Sequence, residues 1–141
     1  LGPFGWFSVP NLNSDSNEPL DQSPNFGTLD MIKSLEWVNQ NIRAFGGDPN
    51  NITIFGESAG ARNVLSLYVA KSTKNLFQRG IAQSGYLVSD SVEYSRNNPE
   101  SGSLTFIKNS IKKKNPSINP MTLKETLEDR SVLSNYLRDL S

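Results

Sequence analysis

Cysteine and histidine are both absent from the 141 residues of this chain. Without cysteine, disulfides and thiol chemistry are excluded from this stretch, although the cellular compartment stays open. Without histidine, the chain lacks the most common general base and the most common metal ligand. A reaction that needs an imidazole would have to take it from residues outside this sequence.

An excess of charge and long apolar runs are absent as well. Lysine plus arginine and aspartate plus glutamate number 14 each, so charge gives no reason to expect nucleic acid or an anionic membrane as a partner. No run of about 18 apolar residues is present, and therefore no membrane span is predicted. The chain begins at Leu1, which is not an initiator methionine, and its first residues lack the charged and then apolar pattern of a signal peptide, so we expect the natural protein to start upstream.

A regular apolar stripe indicates a helix in the first half of the chain. Thr28 precedes the stripe and suits an N-cap, and Gly46-Gly47 would end the helix because glycine readily takes the left-handed conformation. Apolar residues recur there every three or four positions, as on one face of a helix. The stripe consists of Leu29, Ile32, Leu35, Val38, Ile42 and Phe45.

A strand, a helix and a second strand are predicted after that first helix. Residues 51–55 are short, β-branched and bounded by turn residues, which predicts a buried strand. A helix is expected over residues 59–70 and a strand over residues 80–84. This order predicts an α/β fold with a mainly parallel sheet flanked by helices.

The last third of the chain has a different character. Residues 88–103 are polar and are predicted to be irregular, whereas residues 104–114 and 122–140 have helical patterns. The second helix is expected to break near Arg130-Ser131. The sequence therefore predicts a more helical C-terminal third.

The sequence Gly56-Glu57-Ser58-Ala59-Gly60 joins the first predicted strand to the second predicted helix. Gly-x-Ser-x-Gly in this context is the pattern of a nucleophile elbow, a sharp turn that presents a serine at its apex. We expect glycine at both flanking positions because side chains there would collide with neighbouring backbone. The alternative is a glycine-rich turn in which Ser58 is only the N-cap of the helix.

An elbow at this place would favour attack by the Ser58 hydroxyl. The serine would lie at the positive end of the helix dipole. The backbone N–H of Ala59 would point to where the oxyanion of a tetrahedral intermediate forms. Ser58 and Ala59 are therefore the candidate nucleophile and oxyanion donor.

These motifs resemble those of the type B carboxylesterase family, which includes cholinesterases and bacterial para-nitrobenzyl-type esterases. Arg62-Asn63-Val64 is more similar to the bacterial branch. The resemblance implies a partial α/β-hydrolase fold within one domain, with an elbow-bearing core at residues 1–87 and a helical, variable region at residues 88–141. The ordered matches lie at residues 25–30, 35–38, 41–42, 45–49, 53–60, 76–79 and 82–85.

The resemblance also implies roles for individual side chains. Ser58 matches the family's nucleophile and Ala59 its oxyanion donor. Glu57 matches an acid that holds ordered water beside the active site, and its alternative role is that of a first-turn carboxylate on the helix dipole. Ser84 matches a serine near the catalytic acid, and its alternative is a plain hydroxyl at a strand end.

Further matches have structural interpretations. Trp37 could line a substrate gorge, but a tryptophan beside an apolar stripe is more often part of the core. The polar residues that match the family are expected to form buried ion pairs and turn caps. They are Asn25, Asp30, Arg43, Asp48 and Arg79.

The family's glycine-rich oxyanion loop, catalytic acid and histidine have no match in this chain. The expectation is therefore a fragment of a serine esterase that is inactive alone, acts on a small-molecule ester and needs no metal or organic cofactor. Protein partners stay open. The alternatives are a non-catalytic, cholinesterase-like adhesion or scaffold protein and another elbow enzyme such as a thioesterase or peptidase.

Overall fold

A computed structural model describes residues 5–9, 17, 20 and 22–139 of the chain. The described residues form two compact units, which we call the elbow unit and the helical unit. The elbow unit contains Gly5 and Asn25–Ser89, and the helical unit contains the described residues from Trp6 to Pro24 and from Asp90 onward. The expected arrangement within a single domain stays a prediction.

The elbow unit has the predicted order of helix, strand, helix and strand. Its two strands pair in parallel, with Phe55 opposite Ile81, so the prediction of a parallel sheet is confirmed. The elements are α1 (Phe26–Asn41), a 3-10 turn (Ile42–Phe45), β1 (Thr53–Glu57), α2 (Ala59–Val69), a second 3-10 turn (Lys71–Thr73) and β2 (Arg79–Gln83).

Helix α2 packs on one face of this sheet. Val64 and Leu67 of α2 are buried. Gly80 of β2 makes the close approach possible, because a Cβ there would overlap the ring of Tyr68 and lie 3.1 Å from Val64 Cγ1. The apolar stripe of α2 and the glycine of β2 thus fix the helix on the strands.

The opposite face of the sheet is open among the described residues. Phe55 is 78% exposed, and its cross-strand neighbour Ile81 is 53% exposed. The prediction of a buried first strand is therefore wrong for this structure. The strand also begins and ends two residues later than predicted, since Gly56 and Glu57 continue the ladder with β2.

The first helix differs from its prediction at its start. Asn25 occupies the N-cap position of α1, and Thr28 lies within the first turn. The end is as predicted, because Gly46 has φ 81° and closes the chain after the 3-10 turn.

Two sequence interpretations of side-chain burial are wrong. Trp37 is 55% exposed, with its ring centroid 6.0 Å from that of Phe45, so it is not a core residue of the elbow unit. The expected buried ion pairs are also not observed, because the five polar matches, Asn25, Asp30, Arg43, Asp48 and Arg79, are exposed.

Two of those five residues instead make local hydrogen bonds. Asp48 Oδ1 accepts from the backbone N–H of Asn50 at 2.9 Å, as a turn cap should. Arg79 donates to the side-chain oxygen of Asn51 at 2.5 Å. These contacts hold the turn that leads into β1.

The helical unit has a small core of its own. Val9, Ile107, Ile111 and Leu133 are buried together. The prediction of a more helical C-terminal third is confirmed, and the expected break falls at Asp129. The unit contains α3 (Val92–Asn97), which lies in the segment predicted to be irregular, α4 (Ser103–Lys114), α5 (Pro120–Glu128) and α6 (Arg130–Arg138).

Candidate active site

Ser58 lies at the abrupt junction between β1 and α2. Its backbone has φ 53° and ψ −112°, outside the regions that L-residues usually occupy. Its N–H donates to the carbonyl oxygen of Gln83 at 2.9 Å, and its carbonyl accepts from the N–H of Arg62 at 3.1 Å. The first hydrogen bond continues the sheet and the second begins the helix, so the chain changes direction within the single residue Ser58.

The two flanking glycines have different environments. A Cβ on Gly56 would overlap the carbonyl group of Gly60 and lie 2.9 Å from the N–H nitrogen of Ala61. A Cβ on Gly60 would meet nothing within 4 Å. The expectation of a steric need for glycine at both positions therefore holds at Gly56 and is wrong at Gly60.

The Ser58 side chain is exposed and is not used to cap the helix. It is the N-cap residue by position, but its hydroxyl makes no capping hydrogen bond. The interpretation of Ser58 as only an N-cap is therefore wrong for this structure. Ala59 is the first residue of α2, so its N–H is one of those that a helix leaves unpaired.

Glu57 and Ser84 lie close to this junction along the sheet. Glu57 is the last residue of β1, so it is not the first-turn carboxylate that one interpretation expected. Ser84 follows β2 directly and is exposed. Its φ of 54° is nearly that of Ser58, which the sequence did not predict.

A second turn packs against the start of α2. A Cβ on Gly85 would overlap the Ala61 side chain and lie 3.1 Å from the backbone nitrogen of Arg62. The Arg62 guanidinium carbon lies 4.1 Å from the centroid of the Tyr86 ring. Sequence reasoning missed this pair, because the two residues are distant in sequence and no short motif joins them.

The part of the chain that the structure describes contains neither a metal-binding cluster nor a membrane-spanning helix. No group of three or more histidine, cysteine, aspartate or glutamate residues there could hold a metal ion. None of the helices described is both long enough and apolar enough to cross a bilayer.

Residues 1–120 match the sequence profile of the carboxylesterase family. The chain belongs to the carboxylesterase family. It is 45% identical over 85 residues to the para-nitrobenzyl esterase of Bacillus subtilis (strain 168), and this match covers 60% of the chain and 16% of that protein.

Mammalian carboxylesterases and lipases are similar to the same extent. Carboxylesterase 1E of Mus musculus is 46% identical over 85 residues, a match that covers 60% of the chain and 14% of that protein. Bile salt-activated lipase of Mus musculus is 46% identical over 89 residues, covering 63% of the chain and 14% of the relative. The chain thus spans only a small part of each of these carboxylesterases.

Solved structures of PNB esterases are similar to the chain in fold. One covers 92% of the chain and 27% of the solved chain, at 30% identity and a TM-score of 0.60. A thermophilic PNB esterase covers 96% of the chain and 27% of its own, at 27% identity and a TM-score of 0.58. The expectation of a partial α/β-hydrolase fold is confirmed.

Proposed function

We propose that this carboxylesterase chain carries the nucleophile of a carboxylic-ester hydrolase and that Ser58 is that nucleophile. One observation carries the proposal: the exposed Ser58 lies at a turn with positive φ between a strand and a helix, and its hydroxyl is not used as a cap. A residue is held in such a conformation only where its surroundings impose it, and such residues cluster at active sites.

The proposed reaction forms and then breaks an acyl-enzyme. Ser58 Oγ bonds to the ester carbonyl carbon while a base takes its proton, and the alcohol leaves with that proton. Water then attacks the acyl group, which releases the acid and restores the hydroxyl. The N–H of Ala59 would donate to the oxyanion in both steps.

The base and the catalytic acid are proposed to come from outside these residues. The chain contains no histidine, and an unassisted serine hydroxyl is a weak nucleophile at neutral pH. We therefore propose that the 141-residue chain is inactive alone. Removing the base from such a site typically lowers the rate by several powers of ten.

Small-molecule esters are the proposed substrates. The names of the relatives, a para-nitrobenzyl esterase, carboxylesterases and a bile salt-activated lipase, all describe proteins that act on esters. Glu57 is proposed to hold water beside the site and Ser84 to lie near the catalytic acid. Glu57 is the last residue of β1 and Ser84 directly follows β2, and the two strands end at the same sheet edge as the Ser58 turn, which supports these assignments.

Kinetics of variants in the gene product that contains this chain test the proposal. Ser58→Ala should lower kcat for a p-nitrophenyl ester by at least about four powers of ten, because the acyl-enzyme cannot form. Ser72→Ala is a matched control, since Ser72 is an exposed serine in the turn after α2. Hydrolysis that survives Ser58→Ala would overturn the proposal, and a wild-type product without esterase activity would favour an adhesion or scaffold role.

A further inference from the structure

Ser58 and Ser84 form two turns with positive φ that lie next to each other where the parallel strands β1 and β2 end. Glu57 pairs with Gln83 in the register of β1 and β2, so Ser58 and Ser84 follow at equivalent positions. Both have positive φ, 53° and 54°. Neither residue is glycine, so each turn persists only where neighbouring groups hold it.

Backbone contacts join the two turns on one side. The N–H of Ser58 donates to the carbonyl of Gln83 at 2.9 Å. Gly85 lies against Ala61 and against the backbone nitrogen of Arg62, with no room for a side chain. The first turn of α2 therefore rests directly on the chain that follows Ser84.

Side chains join the same two turns through one pair. Arg62 lies four residues after Ser58 and Tyr86 two residues after Ser84. The guanidinium carbon stands 4.1 Å from the ring centroid, well within the distance of about 6 Å for a cation–π contact. Arg62 belongs to neither of the ion pairs Lys33–Glu36 and Lys124–Glu128, so among the described residues its guanidinium lies on an aromatic face without a carboxylate partner.

We infer that Arg62 and Tyr86 form a latch that fixes the elbow against the neighbouring turn, and that both are positioning residues for acylation of Ser58. This inference rests on the proposed function. The Ser58 hydroxyl and the Ala59 N–H belong to the same end of α2, so a shift of that helix end displaces both together. Reactions that depend on oriented groups lose rate when those groups are slightly misplaced.

The latch makes a specific kinetic prediction. Arg62→Gln and Tyr86→Leu keep the approximate size of each side chain but remove the cation or the ring. Each should slow acylation about two- to five-fold, the range for a cation–π contact at an exposed site. The double variant should be no slower than the slower single variant, because both changes remove the same contact.

The experiment uses the gene product that contains this chain and two neutral probes, an ethyl p-nitrophenyl alkylphosphonate, which loses p-nitrophenolate when the serine oxygen bonds to phosphorus, and a p-nitrophenyl ester. The rate of phosphonate incorporation at Ser58 reports acylation, and steady-state kinetics separate kcat from KM. Tyr86→Phe keeps the ring and should restore the rate to near that of the wild type. The KM for the neutral ester should stay within about two-fold, since the pair is assigned no contact with the substrate.

The possible results separate the latch from the proposed function. Labelling at Ser58 with unchanged rates in Arg62→Gln and Tyr86→Leu would overturn the latch and leave the proposed function intact. Losses that multiply in the double variant, or a Tyr86→Phe variant as slow as Tyr86→Leu, would also overturn it. If the wild type is not labelled at Ser58, the proposed function and the latch both fail.

Discussion

Gly56 is the residue on which the sharpness of the elbow depends. A Cβ there would overlap the Gly60 carbonyl and crowd the Ala61 nitrogen. Gly60 has a different role, because a Cβ on Gly60 itself would meet nothing, whereas its backbone carbonyl lies where a Cβ on Gly56 would be. Steric crowding therefore requires glycine at position 56 but not at position 60.

Substitution of each glycine by alanine tests this difference. Gly56→Ala should destabilise the gene product that contains this chain by about 1–3 kcal/mol, the usual cost of forcing extra atoms into a packed place. Gly60→Ala should cost less than about 1 kcal/mol, since alanine also has the higher helix propensity. Denaturant unfolding of the two variants measures the difference. Equal losses would contradict the steric account.

Sequence reasoning at the residue scale succeeded where contacts are local. The strand, the glycines and the serine of the elbow lie within a few residues of one another, so their pattern predicts the turn at Ser58. The left-handed backbone of Ser84 and the Arg62–Tyr86 contact depend on the register between β1 and β2. That register is set by packing between segments that are far apart in sequence, and a short motif contains no information about such packing.

Asp129 shows how one side chain separates two helices. Its carboxylate is the N-cap of α6 and accepts from the backbone N–H groups of Ser131 and Val132 at 2.8 and 3.0 Å. The hydrogen bond from the Val132 backbone, followed by that from the Ser131 side chain, lowers the pKa of Asp129 from its ordinary 3.8. The charged carboxylate is thus favoured in the folded chain.

Local hydrogen exchange tests the cap. Asp129→Ala should speed amide exchange across residues 130–138 in the gene product, because two helix N–H groups lose their acceptor, whereas Asp129→Asn should retain most of the protection.

The protection should also depend on pH. The pKa of Asp129 is lowered in the folded chain, so the carboxylate stabilises the folded state fully above pH 3.8, and this stabilisation is lost as pH falls through the lower folded pKa. Asp129→Asn should not share this pH dependence. Equal exchange in all three proteins would contradict the cap.

Elements were predictable where a pattern extends over several turns. The apolar stripe of α1 follows from its periodicity, and the helix α2 and the break between α5 and α6 were also predicted. The six-residue α3 was missed, since a helix that short has no stripe to detect. The burial of Trp37 and Phe55 was predicted wrongly because an apolar residue indicates only that its burial is favourable. What covers it is decided by other segments.

At the scale of the whole molecule, we propose that the activity depends on groups that this chain does not contain. The Ser58 turn, the N–H of Ala59 and the neighbouring turn at Ser84 lie in the elbow unit, but histidine is absent from all 141 residues. The chain spans 16% of the Bacillus esterase that it resembles. We therefore propose that these residues supply the nucleophile and that the base comes from residues elsewhere in the gene product.

Covalent labelling by an ethyl p-nitrophenyl alkylphosphonate, mapped by peptide mass spectrometry, tests whether Ser58 is the nucleophile. The gene product that contains this chain should gain one phosphonyl group on Ser58, and the isolated 141-residue chain should react slower by several powers of ten because it has no base. Ser58→Ala should abolish the modification. An active gene product that is labelled at another residue, or not at all, would contradict the account.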